Sequence, residues 1–335
     1  MSATQEALLI AVVKVVVLFN LLLGLFSVMT WVERRLLAFM QFRLGPNRTG
    51  PLGILQPVAD GIKLFFKEEL IPDGANKWMF VAAPGLAVVT AFLAMAVVPW
   101  GGTVTVFGRE VPLQLADLDV GVLFLFAVSS LSVYGIVMAG WAANNKFTLM
   151  GGLRSSAQMF SYELALGLSW VGLIMLAGSF RITDIVESQE GGFWNWNFIR
   201  QFLAFGVYLV AGTAEANRTP LDLPEAETEL VAGFHTEYSS MRFALMQMAE
   251  YVHMITIAAL GANLFFGGWR SPVPFLPDSP AWFVLKLFAG LFFFIWLRGT
   301  LPRFRYDQLM DFGWKVLLPV AMLNVMLTAA AVVLF

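Results

Sequence analysis

Long apolar runs separated by short polar segments dominate this 335-residue chain. A helix needs about 20 mainly apolar residues to cross the hydrocarbon layer of a bilayer. Eight stretches meet or approach that length, at roughly 7–32, 78–99, 119–142, 158–179, 199–215, 242–267, 281–301 and 314–335. The pattern predicts an all-α integral membrane protein with eight transmembrane helices, forming a single polytopic domain over 1–335. The fifth stretch is the shortest. The first, Ala7 to Val32, is broken only by Lys14 and Asn20. It is longer than a signal-peptide core and ends without a small-residue cleavage pattern, so it is expected to be retained as the first span.

The segments between the spans carry their own patterns. In the first loop, a Gly- and Pro-rich turn (GPNRTGPLG) precedes Ile54, Leu55, Val58, Ile62, Phe65 and Phe66. These recur at helical spacing opposite Asp60, Lys63 and Lys67, which predicts an amphipathic interfacial helix over about 52–67. The stretch VTVFGREVPL places β-branched residues around a Gly-Arg turn and predicts a short hairpin. The stretch NNKFTLMGGLRSSAQMFSYE reads as a polar, Gly-containing loop leading into the fourth span. Residues 179–200 contain tryptophans of the interfacial-belt type, SPVPFLPDSP is a proline-rich connector, and RGTLPRFRYDQLMDFGWK is a basic final loop. No soluble domain, strong repeat or low-complexity tract is visible.

Composition agrees with the pattern and narrows the chemistry. Hydrophobic residues make up 59% of the chain and charged residues 13%, against about 25% charged in soluble domains. A net charge of −2 without any Lys/Arg run points to no nucleic-acid partner. The chain has no cysteine and two histidines. That excludes disulfides, thiolate metal sites and iron–sulfur ligation here, so any redox centre has to come from a partner. Of the 21 basic residues, only Lys14, Arg109, Arg181, Arg200, Arg270 and Lys286 fall on the side of the termini. The positive-inside bias therefore places the loops after spans one, three, five and seven in the cytoplasm (or matrix), and both termini on the opposite side.

Against this background some carboxylates are out of place. An acid at the centre of a spanning helix costs about 2.5–3.5 kcal/mol on the insertion scale, so it faces the bundle interior, pairs, or takes up a proton. Glu33 ends the first span beside Arg34 and Arg35, Glu163 lies inside the fourth, Glu215 ends the fifth, and Glu250 lies about two turns into the sixth. Glu33 alone is weak evidence, because an acid beside two arginines at a helix end is usually a salt bridge. His253 shares a face with Glu250 and reads as a hydrogen-bonded core residue.

Between the fifth and sixth spans runs the densest acidic segment, EANRTPLDLPEAETELVAGFHTEY. Extended to Glu250 it holds seven of the chain's 23 acidic residues. Asp222, Leu223, Pro224 and Glu225 resemble a capped helix start. In such a helix Glu225 and Glu229 share a face and Glu227 projects elsewhere. Clustered carboxylates repel one another and exchange protons nearer neutral pH. From charge pattern alone, a proton relay and a solvated loop or partner docking site both fit.

The wording of these segments resembles a known family. AEANRTPLDLPEAETELVAGFHTEYSSMRFAL is similar to the acidic loop of the H-subunit family of NADH:quinone oxidoreductase, the family of subunit 1 in mitochondrial respiratory complex I. ERRLLAFMQFRLGPNRTGPLGILQPVADGIKLFFKE resembles its first loop, WAANNKFTLMGGLRSSAQMFSYE its third-to-fourth connection, and LPRFRYDQLMDFGWK its final loop. The match runs in order over nearly the whole chain. It implies a membrane subunit of a proton-pumping enzyme, with eight spans and an interfacial helix after the first. The implied substrate is a quinone, ubiquinone or menaquinone, bound non-covalently, while iron–sulfur clusters and FMN belong to partner subunits. Implied partners are the hydrophilic quinone-site subunits, neighbouring small membrane subunits and the lipid bilayer. The implied setting is the inner (plasma) membrane of a bacterium, with periplasmic termini and a cytoplasmic acidic loop. By motif, Glu163, Glu215, Asp222, Glu225, Glu227, Glu229 and Glu250 fall on the family's acidic relay. Glu33, Arg34, Asp60, Lys63, Glu68, Arg218, Arg298, Arg303 and Arg305 fall on positions lining or flanking its quinone tunnel. No catalytic or metal-ligating residue is implied within this chain.

Two positions depart from the common AETNRTPFDL pattern: Ala216 and Leu221 stand for threonine and phenylalanine. No acid is lost. The homologous subunit of a membrane-bound hydrogenase is the runner-up, and the intact NRTP-x-D-x-P-E-A-E-x-E-L-V pattern argues against it. An independent proton-coupled transporter would be favoured by inverted repeats with paired broken helices, which are absent from the pattern.

Overall fold

The computed structural model of the chain describes residues 3–106, 109–224 and 230–334. Helix α1, Ala3–Met40, runs beyond the span expected to end at Val32. Its extension, Glu33 to Met40, is built from good helix formers. It stops where Phe42 adopts a left-handed φ of 53° and the Arg43 N–H closes back on the Ala38 carbonyl at 2.9 Å. After a 3-10 turn at Pro51–Gly53 comes α2, Gln56–Phe66. This is the predicted amphipathic helix, and Val58, Ile62, Phe65 and Phe66 are all exposed along it.

Helix α3 spans Lys77–Met95 and is capped by Asn76, whose side chain accepts the Met79 N–H. The predicted hairpin forms from β1, Thr103–Val106, and β2, Arg109–Pro112, paired antiparallel with Thr103 opposite Pro112. Helix α4 is Gly121–Ala142 and α5 is Lys146–Ala177. The stretch expected as a polar loop before the fourth span is thus the first three turns of α5. Asn145 caps it by accepting the Phe147 N–H at 3.0 Å, and small residues let it press against α4. A Cβ on Gly140 would lie 2.6 Å from the Thr148 carbonyl oxygen. In this packing, polar glycine-rich sequence is a helix–helix seam.

The remaining elements are α6 (Ile182–Glu187), α7 (Asn197–Arg200), α8 (Phe202–Glu215), α9 (Ser240–Phe266), α10 (Pro280–Thr300), α11 (Tyr306–Phe312) and α12 (Leu318–Leu334). A π-helical segment, Gly313–Leu317, joins α11 to α12 into one continuous 29-residue helix. Seven described helices are long and apolar enough to cross a membrane: α1, α3, α4, α5, α9, α10 and the joined α11–α12. The eighth expected span corresponds to α8, an apolar helix of only 14 residues. It is about 21 Å long, short of the roughly 30 Å hydrocarbon layer.

Helix α9 is the centre of the bundle and α1 its rim. Two-thirds (67%) of the apolar window of α9 is buried, against 6% for α1. Fully buried Phe80, Met95, Tyr162, Leu173 and Phe265 knit α3, α5 and α9 into one core. The start of α9 is tied to the end of α2. Ser240 Oγ donates to the Leu64 and Lys67 carbonyls at 2.8 Å, and Arg242 pairs with Glu69 at 3.1 Å.

Candidate functional site

Two charged clusters meet at the end of the bundle where α1, α8 and α10 terminate. In the first, Glu33 is 4% exposed. It accepts a hydrogen bond from Arg298, at the end of α10, and lies 3.5 Å from Arg218 Nη1. Arg218 is itself buried and stacks its guanidinium over the Tyr251 ring at 4.3 Å. In the second, buried Asp222 accepts from Arg303 Nη2 at 3.0 Å. The two are parts of one construction. Arg218 and Asp222 belong to the same loop, Arg298 and Arg303 to the same chain segment, and the Phe304 N–H donates to the Pro220 carbonyl at 3.2 Å. Buried carboxylates survive here because each has a guanidinium within reach.

The loop from Ala216 is seated on α5 by Gln158. Its fully buried side-chain amide donates to the Ala214 carbonyl at 2.9 Å and the Leu221 carbonyl at 2.6 Å. Gly151 seats the other end: a Cβ there would be 2.6 Å from the Phe234 backbone nitrogen. The exit of the loop is fixed by Tyr238, which stacks on Phe80 with centroids 4.1 Å apart and donates to the Phe80 carbonyl. Burial raises the Tyr238 hydroxyl pKa, so this donor keeps its proton.

Inside the bundle, two acids are gathered by two consecutive serines of α4. Ser129 donates to Glu215 and Ser130 donates to Glu163. This places the carboxylates of α8 and α5 side by side on α4. Glu250 lies on α9 beside a small cavity of about 20 Å³ that is also lined by Ser132, Asn217 and His253. A space of that size admits a single water. Among the described residues, Asn217 Oδ1 and His253 Nε2 are buried without a hydrogen-bond partner. Each is a ready partner for such a water. His253 was expected to be a satisfied core residue, and at Nε2 it is not.

The family model described as NADH dehydrogenase matches residues 13–329. The chain belongs to the NADH dehydrogenase family. Among curated members it is 51% identical to the second H subunit of the NADH-quinone oxidoreductase of Koribacter versatilis, with both chains covered completely. It is 52% identical to the first H subunit of the same enzyme in Geobacter metallireducens, over 97% of this chain and 98% of that protein. It is also 52% identical to the H subunit of the enzyme in Thermomicrobium roseum, over 93% of each.

The residues that the family resemblance implied divide by where the fold puts them. Glu33, Arg218, Arg298, Asp222 and Arg303 form the joined clusters, and Glu163 and Glu215 share the serine pair. Arg34 pairs with Asp60 of α2 at 2.5 Å, at the rim. Lys63 and Glu68 are exposed on or just beyond α2. Neighbouring Glu69, rather than Glu68, ties the segment after α2 to Arg242. Arg305 is not brought in: it forms an exposed pair with Asp307 at 2.8 Å. Glu225, Glu227 and Glu229 lie outside the described residues. The helix start expected from Asp222 to Glu225 does so in part, and its described portion, Asp222 to Pro224, is not helical. Among the described residues no group of three or more His, Asp or Glu side chains converges as a metal site.

Sequence reasoning missed Ser129, Ser130, Gln158, Asn217 and Arg242. A signal existed for the serines, since VSSLS is a polar interruption in an otherwise apolar span. Nothing local marks Gln158 or Arg242. Their importance comes from what they meet across more than fifty residues of chain.

Proposed function

We propose that this chain is the membrane subunit of a bacterial proton-pumping NADH:quinone oxidoreductase that forms the quinone-access tunnel and the acidic relay beside it. The observation that carries this reading is Arg218. It belongs to the acidic loop, yet its guanidinium lies against Glu33 at the end of the first span. A charge change at the tunnel wall therefore acts directly on the loop that leads to Glu215, Glu163 and Glu250.

The mechanism is electrostatic. Quinone reduction takes up protons and alters charge in a tunnel lined or flanked by Glu33, Arg34, Asp60, Lys63, Glu68, Arg218, Arg298 and Arg303, with Arg305 outside it at the exposed surface. The balance of the Glu33–Arg218–Arg298 cluster shifts, and with it the position or protonation of the loop acids Glu225, Glu227 and Glu229. Asp222 and Arg303 hold the loop's base. Glu215 and Glu163, bound by adjacent serines, are close enough for the charge of one to oppose the other, so one proton shared between them has two alternative homes. Glu250 and its single-water cavity continue the path. The bistable element is the loop.

The reading extends to assembly. Quinone is the substrate, and partner subunits carry the FMN and iron–sulfur clusters. The chain is one polytopic membrane domain with α8 as an eighth, short crossing. Its termini are periplasmic and its acidic loop is cytoplasmic, against the hydrophilic subunits. The double substitution Glu225→Gln, Glu227→Gln is expected to lower quinone-linked NADH oxidation and proton pumping by about 10²-fold while the purified assembly keeps its subunit composition. Full activity in that variant removes the relay. Labelling by a photoreactive quinone confined to sites outside 33–68 removes the tunnel.

A further inference from the structure

On the side of the bundle away from the acidic loop, α8 and α10 stand apart over α9. The cleft between them has a volume of about 390 Å³ and is apolar almost throughout, with Phe205, Tyr208, Gly261, Ala289 and Gly290 among its walls. Small residues make it: a Cβ on Gly261 would lie 3.1 Å from the Tyr208 ring. The exception to the apolar lining is Lys286 of α10.

Lys286 is fixed in place. Its ammonium donates to the Gly268 and Arg270 carbonyls at 2.8 and 2.7 Å and lies 4.2 Å from the centroid of the Trp196 ring. A lysine ammonium has three donors, so one remains. Among the described residues no carboxylate forms an ion pair with it, and the nearby acids Asp278 and Glu190 are both engaged by Arg270. Arg200, exposed just before α8 begins, adds positive charge to the same rim. Exposed Trp194, of the interfacial-belt type, marks this rim as the level of the membrane interface.

We propose that this cleft is a binding site for an anionic phospholipid, with one acyl chain lying along α9 between α8 and α10 and the phosphate bound by Lys286. The shape calls for a flexible hydrocarbon chain, because an empty groove forfeits dispersion contact with its walls. The charge calls for an anion at one end and nothing polar along the rest. A partner's transmembrane helix would have to bring a carboxylate to Lys286 and fit its side chains to a floor of glycine and alanine. A second apolar cleft, about 240 Å³, repeats the plan. It is lined by Lys14, whose ammonium donates to the Gln114 carbonyl at 3.1 Å. Thus both lysines assigned to this side of the membrane lie in clefts of the same construction.

The test uses the intact membrane assembly, purified through a tag on this chain and exchanged into nanodiscs of phosphatidylglycerol and phosphatidylcholine. Retained lipid is counted by mass spectrometry. Lys286→Gln is expected to lower the preference for phosphatidylglycerol at tightly held sites by about tenfold, the worth of one charge-assisted hydrogen bond. Ala289→Phe, at an exposed position on the cleft wall, is expected to remove the tightly held lipid whatever its headgroup. A photo-crosslinking residue at position 289 supplies the independent reading and should capture lipid. An unchanged preference in Lys286→Gln, or capture of another subunit or of quinone at 289, overturns the proposal.

Discussion

Glu33 sits between two guanidiniums that differ in burial. Arg218 is 7% exposed in its side chain and Arg298 33%. Removing a partner of a buried charge costs up to about 3–5 kcal/mol, less here because the second guanidinium stays on Glu33 and less again where solvent reaches the partner removed. Arg218→Gln is therefore expected to lower the thermal stability of the purified assembly more than Arg298→Gln does. Adding Glu33→Gln to Arg218→Gln strands Arg298 without its carboxylate and should deepen the loss. Thermal inactivation of the four proteins measures this, and equal losses for the two single variants would contradict the burial argument. Glu33 itself was legible as an anomaly, an acid at the end of an apolar run. Its partners were not. Arg34 and Arg35 are adjacent in sequence, but consecutive helical residues point away from one another, and the cations that reach Glu33 come from 185 and 265 residues away.

At the scale of elements, the seams matter more than the spans. Gly151 lets the segment after the acidic loop lie directly on α5. Gly151→Ala places a Cβ against backbone rather than a movable side chain. It is expected to destabilise the assembly by about 1–3 kcal/mol and to lower quinone-linked activity by shifting the end of the loop. Gly61→Ala is the contrasting case. Gly61 lies inside α2 with nothing within 4 Å of its added Cβ, so the change should be neutral or stabilising, by up to about 1 kcal/mol. A shift in melting temperature of the same sign for both variants would show that backbone contact is not the deciding factor. The amphipathic helix and the hairpin were legible because each has its own period, 3.6 and 2. The first turns of α5 were not. Glycine, serine and asparagine in water signal a loop, whereas between packed helices the same small residues signal close approach.

For the whole molecule, the cysteine-free sequence makes orientation in the membrane directly measurable. Single-cysteine variants at Phe275 and Leu44, both strongly exposed, report opposite sides of the bundle. In intact spheroplasts a membrane-impermeant maleimide should label Phe275→Cys on this chain, and Leu44→Cys only after permeabilisation. The reverse pattern would invert the topology and remove the cytoplasmic placement of the acidic loop. The seven long spans follow from hydropathy because hydrocarbon demands about 20 apolar residues wherever a helix crosses. The place of α8 follows from packing instead. Fourteen residues are too few by length alone, and the helix holds its place by burying Ala204, Val207, Tyr208 and Ala211 against its neighbours.

The sequence by itself determined that this is a helical membrane protein, that it has no cysteine to hold an iron–sulfur cluster, and that a handful of carboxylates stand in or beside apolar runs. Those are consequences of composition and period, which need no folding to be read. Only the tertiary structure decided which charges meet. It joined Glu33 to Arg218 and Arg298, gathered Glu163 and Glu215 on adjacent serines, opened a one-water space beside Glu250, and left Arg305 at the surface. The physical reason is that a buried charge is tolerated only beside its partner, and in a bundle that partner is set by helix packing rather than by position along the chain.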